Sequence, residues 1–254
     1  MRIDLDHIPD RPEKPRTRGL TMVMDKGMSI RETEDFLSMA REWTDLVKLA
    51  WGSVLLTRET LRDKLRLYTQ STVQAFPGGV LFEAYAARGQ IEAYAALIKE
   101  LGLNVIEIST SVIDLDPLEK CRLIERFAKG HTVLSEVGSR VQGKEIPDEK
   151  LPELIGNELA AGAFKVIVEG GSSGSTGVYR DSTTVSGDLM ARILERVPQD
   201  QILWEAPRRE QQVDLIRRCG PNVNLGNIEP REVIGLEAWR LGLRADTLSL
   251  VLPH

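Results

Sequence analysis

Histidine and cysteine are scarce in this 254-residue chain, and positive charge has no surplus. The three histidines, His7, His131 and His254, do not cluster, and Cys121 and Cys219 form no CxxC pair. A Cys/His zinc site therefore has no ligand set. Both cysteines lie on helix-like stretches among apolar neighbours, which predicts reduced, buried thiols in an intracellular protein. The formal charge of -5 offers no long-range attraction to phosphate backbones or anionic lipid, so no nucleic acid and no membrane is expected as a partner. No apolar run approaches the ~20 residues of a membrane span, and Met1 to Pro9 lacks the basic start and apolar run of a signal peptide. A cytoplasmic location follows as the expectation. The dinucleotide fingerprint GxGxxG is missing after the first apolar run, and Gly170-Gly-Ser-Ser-Gly-Ser-Thr-Gly177 lacks the Lys-Ser/Thr that would close a phosphate-binding loop.

What is present is an alternation. Apolar, β-rich runs recur at Leu20 to Met24, Leu46 to Ala50, Val80 to Ala84, Val105 to Ile108, Thr132 to Leu134, Phe164 to Val168, Ile202 to Trp204 and Val223 to Leu225. They are continuous, as parallel strands covered on both faces require, and helical patterns separate them. Ser29-Ile-Arg-Glu32 and Asp116-Pro-Leu-Glu119 read as capping boxes. Leu61, Leu65 and Tyr68 form one helical stripe; Ile91, Tyr94, Ile98 and Leu101 form another, ended by Gly102. Hydrophobic residues at 42% suffice for one sizeable core. Together these predict an α/β fold, a single (β/α)8 TIM barrel over residues 1–254, with 1–18 as an N-terminal extension. An open doubly wound sheet would give the same alternation. The stretch 170–187 reads as a βα loop, either a lid or a plain flexible insertion. Trp43, Trp51, Trp204 and Trp239 are expected in the core or at subunit contacts, and the charge-rich stretch from Gln142 to Glu153 in a solvated loop leading into a helix.

Barrel chemistry sits where strands end, so polar residues closing apolar runs define the candidate site. Seven do so in order: Asp25, Lys48, Glu83, Glu107, Glu136, Glu169 and Glu205. Crowded carboxylates repel one another unless a cation holds them. An all-oxygen set suits Mg2+, with Glu136 and Glu107 as preferred ligands and Asp25 next. Asn224, Gly226 and Asn227 near the last strand, with Arg244 following, suggest a phosphate site, since barrels commonly bind phosphate near strands seven and eight.

Several strings resemble a known family. Lys14-Pro-Arg16 with Gly19-Leu-Thr-Met-Val-Met-Asp25-Lys-Gly27, then Val47-Lys48-Leu-Ala-Trp51-Gly52, Pro77-Gly-Gly-Val-Leu-Phe-Glu83, Ile106-Glu-Ile-Ser109, Ser135-Glu-Val-Gly138, Trp204-Glu-Ala-Pro207, Val223-Asn-Leu-Gly-Asn-Ile228 and Leu236 to Thr247 are similar, in order, to the phosphosulfolactate synthases of the ComA type. The resemblance implies a barrel that adds sulfite to phosphoenolpyruvate with magnesium, giving (2R)-phospho-3-sulfolactate on a route to coenzyme M or related sulfonates. It implies small anionic substrates as partners, substrate binding by Arg16, Asn224, Gly226, Asn227 and Arg244, and catalysis by Lys48, Glu83, Glu136 and Arg140. Lys48 would donate a proton if its pKa were brought down, or bind anion as a fixed charge. A homo-oligomer is expected.

The chain departs from the family pattern at three places. Arg140 stands where a lysine is usual, Thr110-Ser111 replaces an Asp- or Asn-Gly pair, and Gly171-Ser172-Ser173-Gly174 replaces Arg-Glu-Ser-Gly. Losing an arginine that made a charge-assisted hydrogen bond to substrate would cost roughly 1.5 to 3 kcal/mol. Three alternatives stay open: a relative using another nucleophile or enol-phosphate, a stress-associated or partner-binding barrel without catalysis, and an aldol-type enzyme in which Lys48 forms a Schiff base.

Overall fold

The computed structural model describes residues 5–138, 146–169 and 184–252. Eight parallel strands occur in it: β1 Thr21–Asp25, β2 Leu46–Leu49, β3 Gln74–Pro77, β4 Val105–Ser109, β5 Thr132–Val137, β6 Lys165–Val168, β7 Ile202–Glu205 and β8 Asn224–Ile228. The helices are α1 Ile30–Ala40, α2 Ser53–Leu56, α3 Arg58–Gln70, α4 Gly79–Ala86, α5 Ile91–Leu101, α6 Pro117–Ala128, α7 Leu151–Ala160, α8 Gly187–Leu194, α9 Arg209–Cys219, α10 Val233–Arg240 and α11 Ala245–Leu248. Ladders run β3-β2-β1-β8-β7-β6-β5-β4, and β3 packs beside β4 across the remaining seam. The result is a (β/α)8 barrel, closed by ladders everywhere except that seam.

The third strand corrects the sequence reading. Val80 to Ala84 belongs to α4, and β3 is Gln74–Pro77. A short apolar run is compatible with a buried helix as well as with a strand. The decisive signal was Pro77-Gly-Gly: Pro77 lacks the amide a continuing strand needs, and the chain turns into α4. Gly78 donates its amide to Leu49 O at 2.9 Å, which holds that turn against β2. A Cβ on Gly79 would stand 2.4 Å from Ser109 Cβ and 2.6 Å from Glu107 Oε1, so only glycine lets α4 start this close to β4. Gly79→Ala is expected to lower unfolding stability by about 1–3 kcal/mol through overpacking, read from the urea midpoint. Gly156→Ala in α7, where nothing lies within 4 Å of the added carbon, is the control and should be neutral or stabilising.

Side-chain alternation sorts each strand into two faces. Leu20, Met22, Leu46, Phe76, Val105, Leu134, Ile167 and Leu203 form the apolar filling of the barrel. Val23, Val47, Leu49, Ile106, Ile108, Val133, Val166, Val168 and Trp204 pack outward with the helices. Ser29 and Glu32 make the expected capping box at α1. Asp116 caps α6 through the amides of Leu118 and Glu119, while the Glu119 carboxylate pairs with Arg122 instead of returning. Gly102 ends α5 in the left-handed conformation. Cys121 and Cys219 are only half-buried, less than expected, and Trp51 is exposed while Trp204 and Trp239 are buried.

The N-terminal extension is bound to the end of the barrel opposite the strand C-termini. Arg11 Nε pairs with Glu237 Oε1 at 2.8 Å. Arg16 Nε meets Asp45 Oδ1 at 2.9 Å, and Asp45 Oδ2 accepts the Thr21 amide. Arg240, fully buried, donates to Pro221 O and Val223 O, both at 2.6 Å. Burial, with Arg11 adding to it, lowers the Arg240 pKa to about 9. Among the described residues no helix is long and apolar enough to cross a membrane.

Candidate active site

The filling residues of β2, β4, β5, β6 and β7 are followed, two positions on, by Lys48, Glu107, Glu136, Glu169 and Glu205. The period of two turns all five side chains into the mouth. All five are buried. Lys48 Nζ stands 3.0 Å from Glu205 Oε1, 3.1 Å from Glu107 Oε2 and 3.7 Å from Glu136 Oε2. Burial opposes the ammonium charge, but Glu107, Glu205 and Glu136 outweigh it and hold the Lys48 pKa above the usual lysine value. Of the two roles left open for Lys48, this favours the fixed cation over the proton donor, and it suits Schiff-base chemistry poorly, since that needs the neutral amine. Burial raises the Glu107 carboxyl well above the ordinary range, and Glu136 adds to this against the opposing effect of Lys48. Ionising Glu107 in this buried cluster is therefore costly.

Glu136 is held from behind as well. Lys120 of α6 donates to the Glu136 carbonyl at 2.6 Å and to Glu158 Oε1 at 2.7 Å, while Ser135 Oγ donates to Glu158 Oε2. Gly138 gives Glu169 its place, since a Cβ there would come within 2.3 Å of Glu169 Cβ. Of these supporting residues, Lys120 and Glu158 were not singled out from the sequence. Their signal is a buried lysine and a buried glutamate on the inner faces of α6 and α7.

Other expected site residues lie elsewhere. Asp25 shares the parity of Val23 and turns outward: its Oδ2 meets Lys64 Nζ at 2.6 Å and accepts from Tyr68 Oη at 2.8 Å, and its Oδ1 accepts the Gly27 and Met28 amides. It therefore does not join Glu107 and Glu136. Glu83 sits on α4, not at a strand end, and accepts the Val112 amide at 2.7 Å, anchoring the turn after β4 that contains Thr110-Ser111. Arg16 is placed at the opposite end by Asp45. Asn224 lies at the start of β8, where it accepts the Leu20 amide and donates to Asp200 O and Ile202 O. Gly226 packs inside the barrel, since a Cβ there would be 2.5 Å from Leu203 Cδ2 and from Met22 Cε. Asn227 is nearer the mouth, buried and left-handed at φ 57°. Arg244 stacks on the Trp239 ring at 4.1 Å, in a groove between α9 and α10 with Arg209 and Arg217, away from the glutamates. Arg140 and residues 170–183 of the expected loop lie outside the described residues.

The space above Lys48 is small. Met24, Lys48, Ala50, Trp51, Gly78, Gly79, Val80, Glu107 and Glu136 enclose about 30 Å³, room for about one or two waters. A larger groove of about 770 Å³, running from Met28 and Phe36 on α1 to Ile234 on α10, is lined by Glu32, Asp35, Arg209, Glu229, Arg231 and Glu232 as well, none of them a residue of the Lys48 cluster.

A lysine clasped by strand-end glutamates inside a closed parallel barrel belongs to a (β/α)8-barrel enzyme. The chain is a member of the (2R)-phospho-3-sulfolactate synthase family, whose model matches residues 9–246. It is 39% identical over 249 residues to the phosphosulfolactate synthase of Methanothermobacter thermautotrophicus, covering 96% of each chain. To that of Methanocaldococcus jannaschii it is 35% identical over 239 residues, covering 92% of this chain and 95% of the relative. In solved structures the fold is similar to a putative dihydrodipicolinate synthase family protein from Coccidioides immitis, at TM-score 0.57 and 10% identity, covering 94% of this chain and 77% of that one. At that identity the likeness speaks for the barrel alone.

Proposed function

We propose that the mouth adds sulfite to C3 of phosphoenolpyruvate and releases (2R)-phospho-3-sulfolactate. The observation that carries this reading is the Lys48–glutamate cluster, together with family membership. The sulfite sulfur supplies the electron pair for the new C3–S bond, the C2–C3 π pair moves onto the substrate carboxylate, and a proton then arrives at C2. Negative charge therefore grows on the carboxylate during the first step, and stabilisation there lowers the barrier.

The donor set fits magnesium. Glu107 and Glu136 are adjacent oxygen ligands of the kind Mg2+ takes one or two at a time, completing its shell with water and substrate oxygen. Among the described residues no group of three or more His, Cys, Asp or Glu is arranged to hold a metal, which suits an ion that enters with its substrate better than one in a full protein cage. When bound it would act as a Lewis acid toward the growing carboxylate charge. Lys48 keeps its proton and orients Glu107, Glu136 and Glu205, with its charge available to an incoming anion. Glu83 fixes the turn after β4, and Glu169 and Glu205 complete the wall.

The test is an anaerobic incubation with phosphoenolpyruvate, sulfite and Mg2+, followed by mass spectrometry. A product with the combined mass of phosphoenolpyruvate and sulfurous acid, lost on chelation and restored by Mg2+, is expected. No product under conditions where the 39%-identical relative turns over would overturn the reading.

A further inference from the structure

Among the described residues, four other than glycine adopt positive φ: His7, Trp51, Thr72 and Asn227. Asparagine tolerates this conformation, but a tryptophan in it is a true outlier. Trp51 has φ 51° and ψ 32°, and Gly52 follows with φ 70° and ψ 19°. Two consecutive left-handed residues thus reverse the chain between β2 and α2, three residues after Lys48. The strain does not serve the core, since Trp51 is 56% exposed. It places Trp51 at the small cavity above Lys48, which this residue lines with Val80. A bulky residue kept in a costly conformation while leaving its ring in solvent points to function.

The cavity itself narrows the role. At about 30 Å³ it admits a single small group, so the rest of a substrate must rest on the rim. Trp51 and the 37%-exposed Val80 supply the apolar part of that rim, next to a floor that carries Lys48, Glu107 and Glu136. A flat unsaturated acid has both features: an anionic end for the floor and a planar apolar face for an indole.

We propose that Trp51 is a specificity-determining residue, the aromatic wall on which the planar enol face of the substrate stacks while its charged end meets the Lys48 cluster. This rests on the reading of the mouth as the site for an enol phosphate. Stacking there would shield the reacting carbons from water and exclude acids lacking a flat face.

The test uses phosphoenolpyruvate with Mg2+ as the probe, calorimetry for affinity, and thermal melting. Trp51→Asn removes the ring and accepts the left-handed backbone. Its affinity is expected to fall at least about tenfold while its melting temperature equals or exceeds that of the unmutated protein. Trp51→Phe should keep affinity within about threefold. The emission of the unmutated protein should change on binding and that change should vanish in Trp51→Phe, because of the four tryptophans, Trp43, Trp51, Trp204 and Trp239, Trp51 alone lines the cavity above Lys48. Affinity unchanged in Trp51→Asn, or melting temperature falling together with affinity, would overturn the wall while leaving the substrate reading intact. Absence of calorimetric binding to the unmutated protein would overturn the substrate reading and the wall with it.

Discussion

Lys48→Met should abolish turnover, by at least about a thousandfold, and destabilise the fold at the same time. The catalytic loss follows from removing the one described cation among the mouth glutamates, a fixed charge of the kind whose deletion typically costs several kcal/mol in the transition state. The stability loss follows from burial. The Lys48 side chain is 7% exposed and those of Glu107 and Glu205 are fully enclosed, so methionine takes from these carboxylates, in a dry site, the ammonium that the described residues place beside them. Breaking a buried pair from one side costs about 3–5 kcal/mol, which corresponds to a melting temperature lower by roughly 10 °C for a chain of this size. The deficit has a pH signature. Without the ammonium, whose effect opposes the shift, the Glu107 carboxyl is pushed further above its unfolded value, so the stability it gives is present below about pH 4.5 and lost as pH rises. Melting curves of metal-free Lys48→Met should approach those of the unmutated protein toward pH 5 and diverge toward pH 8. Lys48 itself, with its folded pKa above the unfolded value, adds no titration across that window.

Glu107→Gln should separate stability from activity. The Glu107 carboxyl is raised by burial, with Glu136 adding to the shift. A carboxyl whose folded pKa exceeds the unfolded value stabilises the fold below the unfolded pKa, and that contribution disappears as pH climbs through the folded one. Glutamine has nearly the same shape and no charge to desolvate. Metal-free Glu107→Gln is therefore expected to melt with the unmutated protein near pH 4.5 and above it at pH 8. Its turnover should fall at least about a hundredfold, because a neutral amide is a poor magnesium ligand and no longer pairs with Lys48. A Glu107→Gln protein that is less stable at pH 8 would show that the carboxylate is a net structural asset, contrary to this account.

How much of this was legible in the sequence depends on which signal was used. Apolar runs closed by charged residues located Lys48, Glu107, Glu136, Glu169 and Glu205 because strand ends in a barrel share one mouth. The same rule misplaced Asp25, since ending a strand does not say which face a side chain takes. Counting in twos from Met22 puts Met24 inside and Asp25 outside, where Lys64 and Tyr68 hold it. Glu83 was misplaced by the apolar run Val80 to Phe82, which fits helix and strand alike, whereas the real third strand, Gln74–Pro77, is too polar and short to stand out. Arg16, Asn224 and Arg244 show a further limit. Their motifs match the family, but Arg16 and Asn224 do their hydrogen bonding at the far end of the barrel, and Arg244 stacks on an outer helix. The left-handed turn at Trp51 had no sequence signal beyond the glycine that follows it, because backbone strain is invisible to composition.

The most direct test of the central claim, that the glutamate-and-lysine mouth carries the reaction, compares sulfite-dependent consumption of phosphoenolpyruvate by three proteins: unmutated, Glu136→Gln and Arg244→Ala. The account predicts turnover by the unmutated protein, its loss in Glu136→Gln with the fold intact by circular dichroism, and a rate within about threefold in Arg244→Ala. Turnover that survives Glu136→Gln and disappears in Arg244→Ala would place the chemistry in the outer groove and contradict it.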